Sequence, residues 1–134
     1  MSSDDQSGNA GTLERDVVER LEILGLLEDP DMCNQMLEVF LSSCGGLVSQ
    51  LEEAVAAQQA EACMSTAHAL KGASRNLGAN GLSDVSYKLE CIGREEDMTD
   101  AESLLAAAKE EYVRVEDFVA KLRKDLEAGV IPNL

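Results

Sequence analysis

Residues 29–58 read DPDMCNQMLEVFLSSCGGLVSQLEEAVAAQ, and their spacing decides the fold class. Asp29-Pro30 is a helix start: an acid able to cap, then proline at the first helical position, where its missing N–H is no loss. Cys33, Leu37, Phe40, Cys44, Leu47, Leu51 and Val55 follow at intervals of 4, 3, 4, 3, 4 and 4 residues. That is an apolar stripe along one helix face. Gly45-Gly46 interrupts it, at roughly 1 kcal/mol each relative to alanine. Either the helix bends there or a neighbour approaches closely. One long helix is expected, to about Gln58.

The same period continues outward on both sides. After a turn near Gln59, a third helix puts Cys63, Ala67, Leu70, Ser74 and Leu77 on its inner side, and Gly78 ends it as a left-handed terminal residue. A fourth carries Leu82, Val85, Leu89 and Ile92. Beyond the acidic turn Glu95-Glu96-Asp97, Thr99 with Glu102 three residues later predicts a capping box. The last helix places Leu105, Ala108, Tyr112, Val115, Val119, Leu122 and Leu126 at intervals of 3, 4, 3, 4, 3 and 4, until Gly129 and Pro132 stop it. Toward the N-terminus, Thr12 can cap a short helix holding Val17, Val18, Leu21 and Leu24, which ends near Gly25–Glu28. Residues 1–11 are polar, small and glycine-bearing, and read as a mobile tail. Nothing alternates with period two. The expected fold is all-α: an antiparallel four-helix bundle with an additional short N-terminal helix, over residues 12–128, and a C-terminal tail at 129–134.

Composition agrees. A chain of 134 residues, 45% hydrophobic, can bury one core. With 3% aromatics and no tryptophan, that core is aliphatic and suits helix packing. A net charge of −15 disfavours nucleic acid and anionic membranes as partners. The charge is uneven: Leu21 to Leu70 contains eight acids and no lysine or arginine, whereas Lys71 to Arg94 holds four bases and two acids. Such a swing is either ordinary fluctuation or a small electropositive patch. Cys33, Cys44, Cys63 and Cys91 lack CxxC spacing and fall at core positions. With no signal peptide or membrane-length run, they suggest a reduced cytoplasmic setting, without a metal site. The polar outer faces of the second and last helices (Glu38, Glu52, Glu53; Glu110, Glu116, Lys121) favour a closed monomeric bundle.

The chemistry centres on Ala67–Leu82, AHALKGASRNLGANGL, which holds the only histidine. A helix turns about 100° per residue, so His68 lies roughly 160° from the core direction set by Leu70. Lys71, Gly72 and Arg75 are its i+3, i+4 and i+7 neighbours. A lone surface histidine usually does nothing. Two features weigh against that here: Gly72 is a costly helix-interior choice that clears space beside the imidazole, and Lys71 supplies a compact cation suited to a phosphoryl oxygen. A nucleophile, an ammonium and a cleared approach permit phosphoryl transfer to nitrogen.

The motif AHxLKG at Ala67–Gly72, continued by Leu77-Gly78-Ala79, Leu82 and Leu89-Glu90, resembles the histidine phosphotransfer (HPt) domain of bacterial multistep phosphorelays over about residues 29–126. The resemblance implies a phosphocarrier and not an enzyme with its own ATP-dependent kinase activity. His68 would take a phosphoryl group from a receiver-domain aspartyl phosphate and pass it to another response regulator. Lys71 would stabilise phosphoryl charge and Gly72 would admit the partner. On the fourth helix, Arg94 and Glu90 occupy the positions where the family often places a polar group near the histidine, Arg94 being the better phosphate partner. Arg75, Met64 and Ala69 would shape partner contact. Partners would be receiver domains of response regulators and hybrid sensor kinases, which would bring the Mg²⁺. The alternative is a non-catalytic, receiver-binding helical bundle, a degenerate relay domain or an inhibitor.

Overall fold

The computed structural model describes the backbone of residues 2–130 and the side chains of 13–130. The elements in chain order are α1 (Ser2–Ile23), a 3₁₀ turn (Leu26–Glu28), α2 (Pro30–Ala56), α3 (Ala60–Leu77), α4 (Asn80–Arg94) and α5 (Ala101–Glu127). The described residues contain no strand. Helices α2 to α5 close into a ring in which α2 touches α3 and α5, and α4 touches the same two. Helix α1 lies outside that ring, against the α3–α4 end.

Helix α2 starts as its first two residues require: the Met32 N–H donates to the Asp29 carboxylate at 3.2 Å, and Pro30 opens the helix. It then runs through Gly45-Gly46 as one element. The reason for Gly45 is a neighbour. A Cβ there would stand 2.9 Å from the Tyr112 hydroxyl, which donates to the Leu41 carbonyl at 3.1 Å. Gly46 has open space around it. Helix α3 buries Cys63, Ala67, Leu70, Ser74 and Leu77, the five positions its periodicity selects. It ends at Gly78 with φ +93°, where a side chain would also meet the Asp16 carbonyl of α1 at 2.7 Å.

The core is aliphatic with small thiols. Leu37, Leu51, Leu70, Leu82 and Leu89 are fully buried beside Cys33, Cys44 and Cys63, and all four cysteines are free. Burial pushes the Cys44 thiol up to about 12 and raises Cys33 and Cys63 as well. These groups stay protonated and pack as small hydrophobes. The buried hydroxyls of Ser74 and Ser86 donate back to the Leu70 and Leu82 carbonyls at 2.6 and 2.8 Å, so neither needs a partner from another element.

Three expectations need correction. The first helix is not short: it occupies 22 residues from Ser2, so Thr12 lies within it and does not cap it. No proline interrupts residues 2–11. The capping box at Thr99 and Glu102 does not form. Asp97 captures both the Thr99 N–H (3.1 Å) and its hydroxyl (2.6 Å) in a local turn, and α5 begins at Ala101 after Asp100, without a side-chain cap. On α4 the buried set is Leu82, Ser83, Ser86, Leu89, Glu90 and Gly93, while Val85 and Ile92 are half-buried. The tail expected at 129–134 lies, from residue 131 onward, outside the described residues.

Candidate functional site

Helices α3 and α4 run antiparallel and close enough that Gly93 has no room for a side chain. Its Cβ would stand 2.7 Å from the Ala60 carbonyl oxygen and 2.8 Å from the Met64 nitrogen. That contact sets the register. One turn along each helix, His68 meets Glu90; a further turn along, Lys71 meets Tyr87.

The His68 side chain is 68% exposed, as its helical angle requires. Its Nδ1 lies 2.9 Å from Glu90 Oε2. Glu90 is 5% exposed at the side chain and gathers two cations as well: Arg94 Nη2 donates to Oε2 at 2.8 Å, and Lys71 Nζ stands 2.8 Å from Oε1. Oε1 has no aligned hydrogen-bond donor and is compensated by the ammonium as a point charge. The Lys71 ammonium, followed by His68, holds the Glu90 carboxyl below its ordinary 4.5 against the opposing pull of burial. An ionised carboxylate can only accept, so Nδ1 carries the proton and donates it. In the neutral imidazole that leaves the lone pair on the other ring nitrogen, Nε2, which does not face Glu90.

Lys71 departs from its expected place beside His68 on the open face. Only 16% of its side chain is exposed. It sits about 100° from the Leu70 direction, on the flank that α4 covers. Its ammonium lies 5.1 Å from the centroid of the Tyr87 ring, in the cation–π range. Its carbonyl accepts from the Ser74 and Ser83 hydroxyls at 3.2 and 3.4 Å, one from each helix. Arg94 is 56% exposed at the edge of the cluster. With a neutral imidazole, one acid faces two fixed cations, so the cluster has a net positive charge despite the chain's overall −15.

Gly72 is exposed, and a Cβ there would meet nothing within 4 Å. Arg75 and Ala69 are exposed on the same helix and take no part in the Glu90 cluster; Met64 is half-buried at the Gly93 contact. The fold thus brings together His68, Lys71, Glu90 and Arg94, and adds Tyr87. Nothing in the sequence marks Tyr87 beyond its place one turn before Glu90. Among the described residues no cluster of His, Cys, Asp or Glu could hold a metal ion. No described helix is long and apolar enough to cross a membrane.

The family model of the Hpt domain matches residues 35–128. The chain belongs to the Hpt domain family. The crystal structure of histidine-containing phosphotransfer protein B (HptB) from Pseudomonas aeruginosa PAO1 is similar to it, with 25% sequence identity and a TM-score of 0.73. The alignment covers 82% of this chain and 91% of that one. No curated protein sequence matches significantly. Family and fold give this Hpt protein a histidine phosphotransfer role in phosphorelay signalling, as a carrier of phosphoryl groups in two-component systems.

Proposed function

We propose that this Hpt protein is a phosphorelay intermediate. His68 Nε2 accepts a phosphoryl group from an aspartyl phosphate on one receiver domain and passes it to the aspartate of another response regulator. The observation that carries this reading is the tether of Nδ1 to a buried, ionised Glu90, which leaves the only histidine of the chain with an outward nucleophilic nitrogen.

The step balances without proton movement. The Nε2 lone pair forms the N–P bond as the P–O bond to the donor aspartate breaks, and the carboxylate leaves with that electron pair. The ring keeps its Nδ1 proton and becomes a phosphoimidazolium, whose positive charge lies against Glu90. This accounts for an acid beside a phosphate site: the carboxylate faces the ring edge opposite to the reacting nitrogen. Lys71 and Arg94 supply positive charge for the phosphoryl oxygens, and Mg²⁺ comes with the receiver's own active site. Gly72 leaves room for the receiver to close over the imidazole.

Receivers of response regulators and hybrid sensor kinases are the partners of this reading, and a cytoplasmic monomer is its setting. Two turns down α3 from His68, beyond Gly72 and Ala69, an apolar cleft is available to the same partner. There Asn76, Leu77, Arg20, Leu24, Met36 and Phe40 line about 80 Å³.

The test is incubation with a phosphorylated receiver, following acid-labile, alkali-stable phosphate by intact mass. Wild type should take up one phosphoryl group and His68→Gln none. Uptake by His68→Gln removes the assignment, and receiver binding without uptake by wild type favours the non-catalytic bundle. Gly72→Gln should fold, since its Cβ is unobstructed, yet block docking; an unchanged transfer rate refutes the access argument.

A further inference from the structure

We infer that Tyr87 is a positioning residue for phosphoryl transfer, its ring holding the Lys71 ammonium beside His68 without neutralising it. The inference rests on the proposed role of His68 and adds a residue to which neither the motif nor the family match gives a part.

The Lys71 ammonium has two partners: the Glu90 carboxylate at 2.8 Å and the Tyr87 ring, whose centroid is 5.1 Å away. The two head-group partners act differently. Glu90 is a full counter-charge, and its pairing with the ammonium offsets the charge that a phosphoryl group would meet. A ring face attracts a cation through its quadrupole and leaves the net charge intact. Tyr87 therefore limits the positions open to the ammonium while its charge and remaining N–H donors stay available.

The placement of Tyr87 fits that task. Tyr87, Glu90 and Arg94 are spaced i, i+3 and i+7 on one face of α4. Tyr87 is half exposed, so its ring reaches the open rim while Glu90 lies beneath. Without the ring, the ammonium keeps one partner and gains access to solvent on its open side, where long lysine side chains sample many rotamers. The loss would appear in the transfer step, which needs the ammonium in place, more than in docking.

The experiment is single-turnover transfer from a phosphorylated receiver, with rate measured against donor concentration. Tyr87→Phe keeps the ring and should transfer at the wild-type maximal rate. Tyr87→Leu keeps apolar bulk without the ring quadrupole and should lower the maximal rate roughly two- to fivefold, as loss of one partly exposed cation–π contact implies. In a Lys71→Met background, Tyr87→Leu should add no further loss, because the residue acts through Lys71. A wild-type maximal rate for Tyr87→Leu overturns the inference. So does a rise confined to the half-saturating donor concentration, which would make Tyr87 a docking contact. The same loss with Lys71 already removed overturns it too. Absence of transfer to wild type would be a different failure, that of His68 as acceptor.

Discussion

Glu90 is the residue around which the site is arranged. It accepts from His68, pairs with Lys71 and Arg94, and is almost fully buried while doing so. Because the Lys71 ammonium and His68 depress its carboxyl, the folded state binds that proton less readily than the unfolded chain. Its contribution to stability is complete above its ordinary 4.5 and is lost as pH falls from there through the folded value. Thermal melts from pH 7 to pH 3 should therefore fall less steeply for Glu90→Gln than for wild type; parallel curves would show that the carboxylate carries no such linkage. The amide still offers Nδ1–H an acceptor but no charge against a phosphoimidazolium. Transfer by Glu90→Gln should be roughly fivefold slower, the difference between a charge-assisted and a neutral hydrogen bond. A rate equal to wild type would mean that Glu90 only orients the ring.

At the scale of elements, the apolar periodicity made α2, α3 and α5 legible, and Gly45-Gly46 left a choice between a bend and a close neighbour, which Tyr112 against Gly45 decides. What the periodicity could not show was the inner face of α4. Ser83, Ser86, Glu90 and Gly93 are not apolar in sequence, yet α4 buries them beside Leu82 and Leu89, because a short helix pressed against α3 needs small residues and a charge-compensated acid there. For the same reason Lys71 could not be recognised as covered: its angle put it on a flank, and only the position of α4 decides whether a flank is open. His68, opposite to Leu70, did not depend on α4 and was readable from one helix. The Thr99–Glu102 pair misled because Asp97, two residues upstream, takes the Thr99 N–H that Glu102 would have accepted and turns the Thr99 hydroxyl to itself. The glycines separate experimentally. Gly46→Ala has free space and should gain about 0.5–1 kcal/mol of helix propensity. Gly45→Ala should lose that gain to displacement of the Tyr112 hydroxyl, and Tyr112→Phe should partly restore it. Equal melting temperatures for the two alanine variants would refute the neighbour argument. Gly93→Ala meets the α3 backbone at Ala60 and Met64 and should cost on the order of 1–3 kcal/mol in chemical denaturation, with slower transfer as Glu90 moves away from His68; unchanged stability would mean that the two helices can part freely.

The whole molecule is an acidic body carrying a small basic site. A net −15 on one small domain repels itself, so moderate salt should raise the melting temperature as the charges are screened. A fall with salt would mean that surface ion pairs outweigh the repulsion. Helix α1 joins the body through buried Val17 and Leu21, through Asp16 against Gly78, and through Asn80, which donates to the Asp16 carboxylate at 2.9 Å. It thus braces the C-terminal end of α3, the helix that presents His68. Everything converges on one nitrogen, since the bundle fixes α3 against α4, the register sets Glu90 under His68, and Glu90 occupies Nδ1. The most direct test is nitrogen-15 and phosphorus-31 NMR of the protein after phosphorylation by a receiver. The expected result is a single phosphorus coupled to Nε2 of His68, with Nδ1 still protonated. A phosphoryl group on Nδ1, or on any other residue, would contradict it.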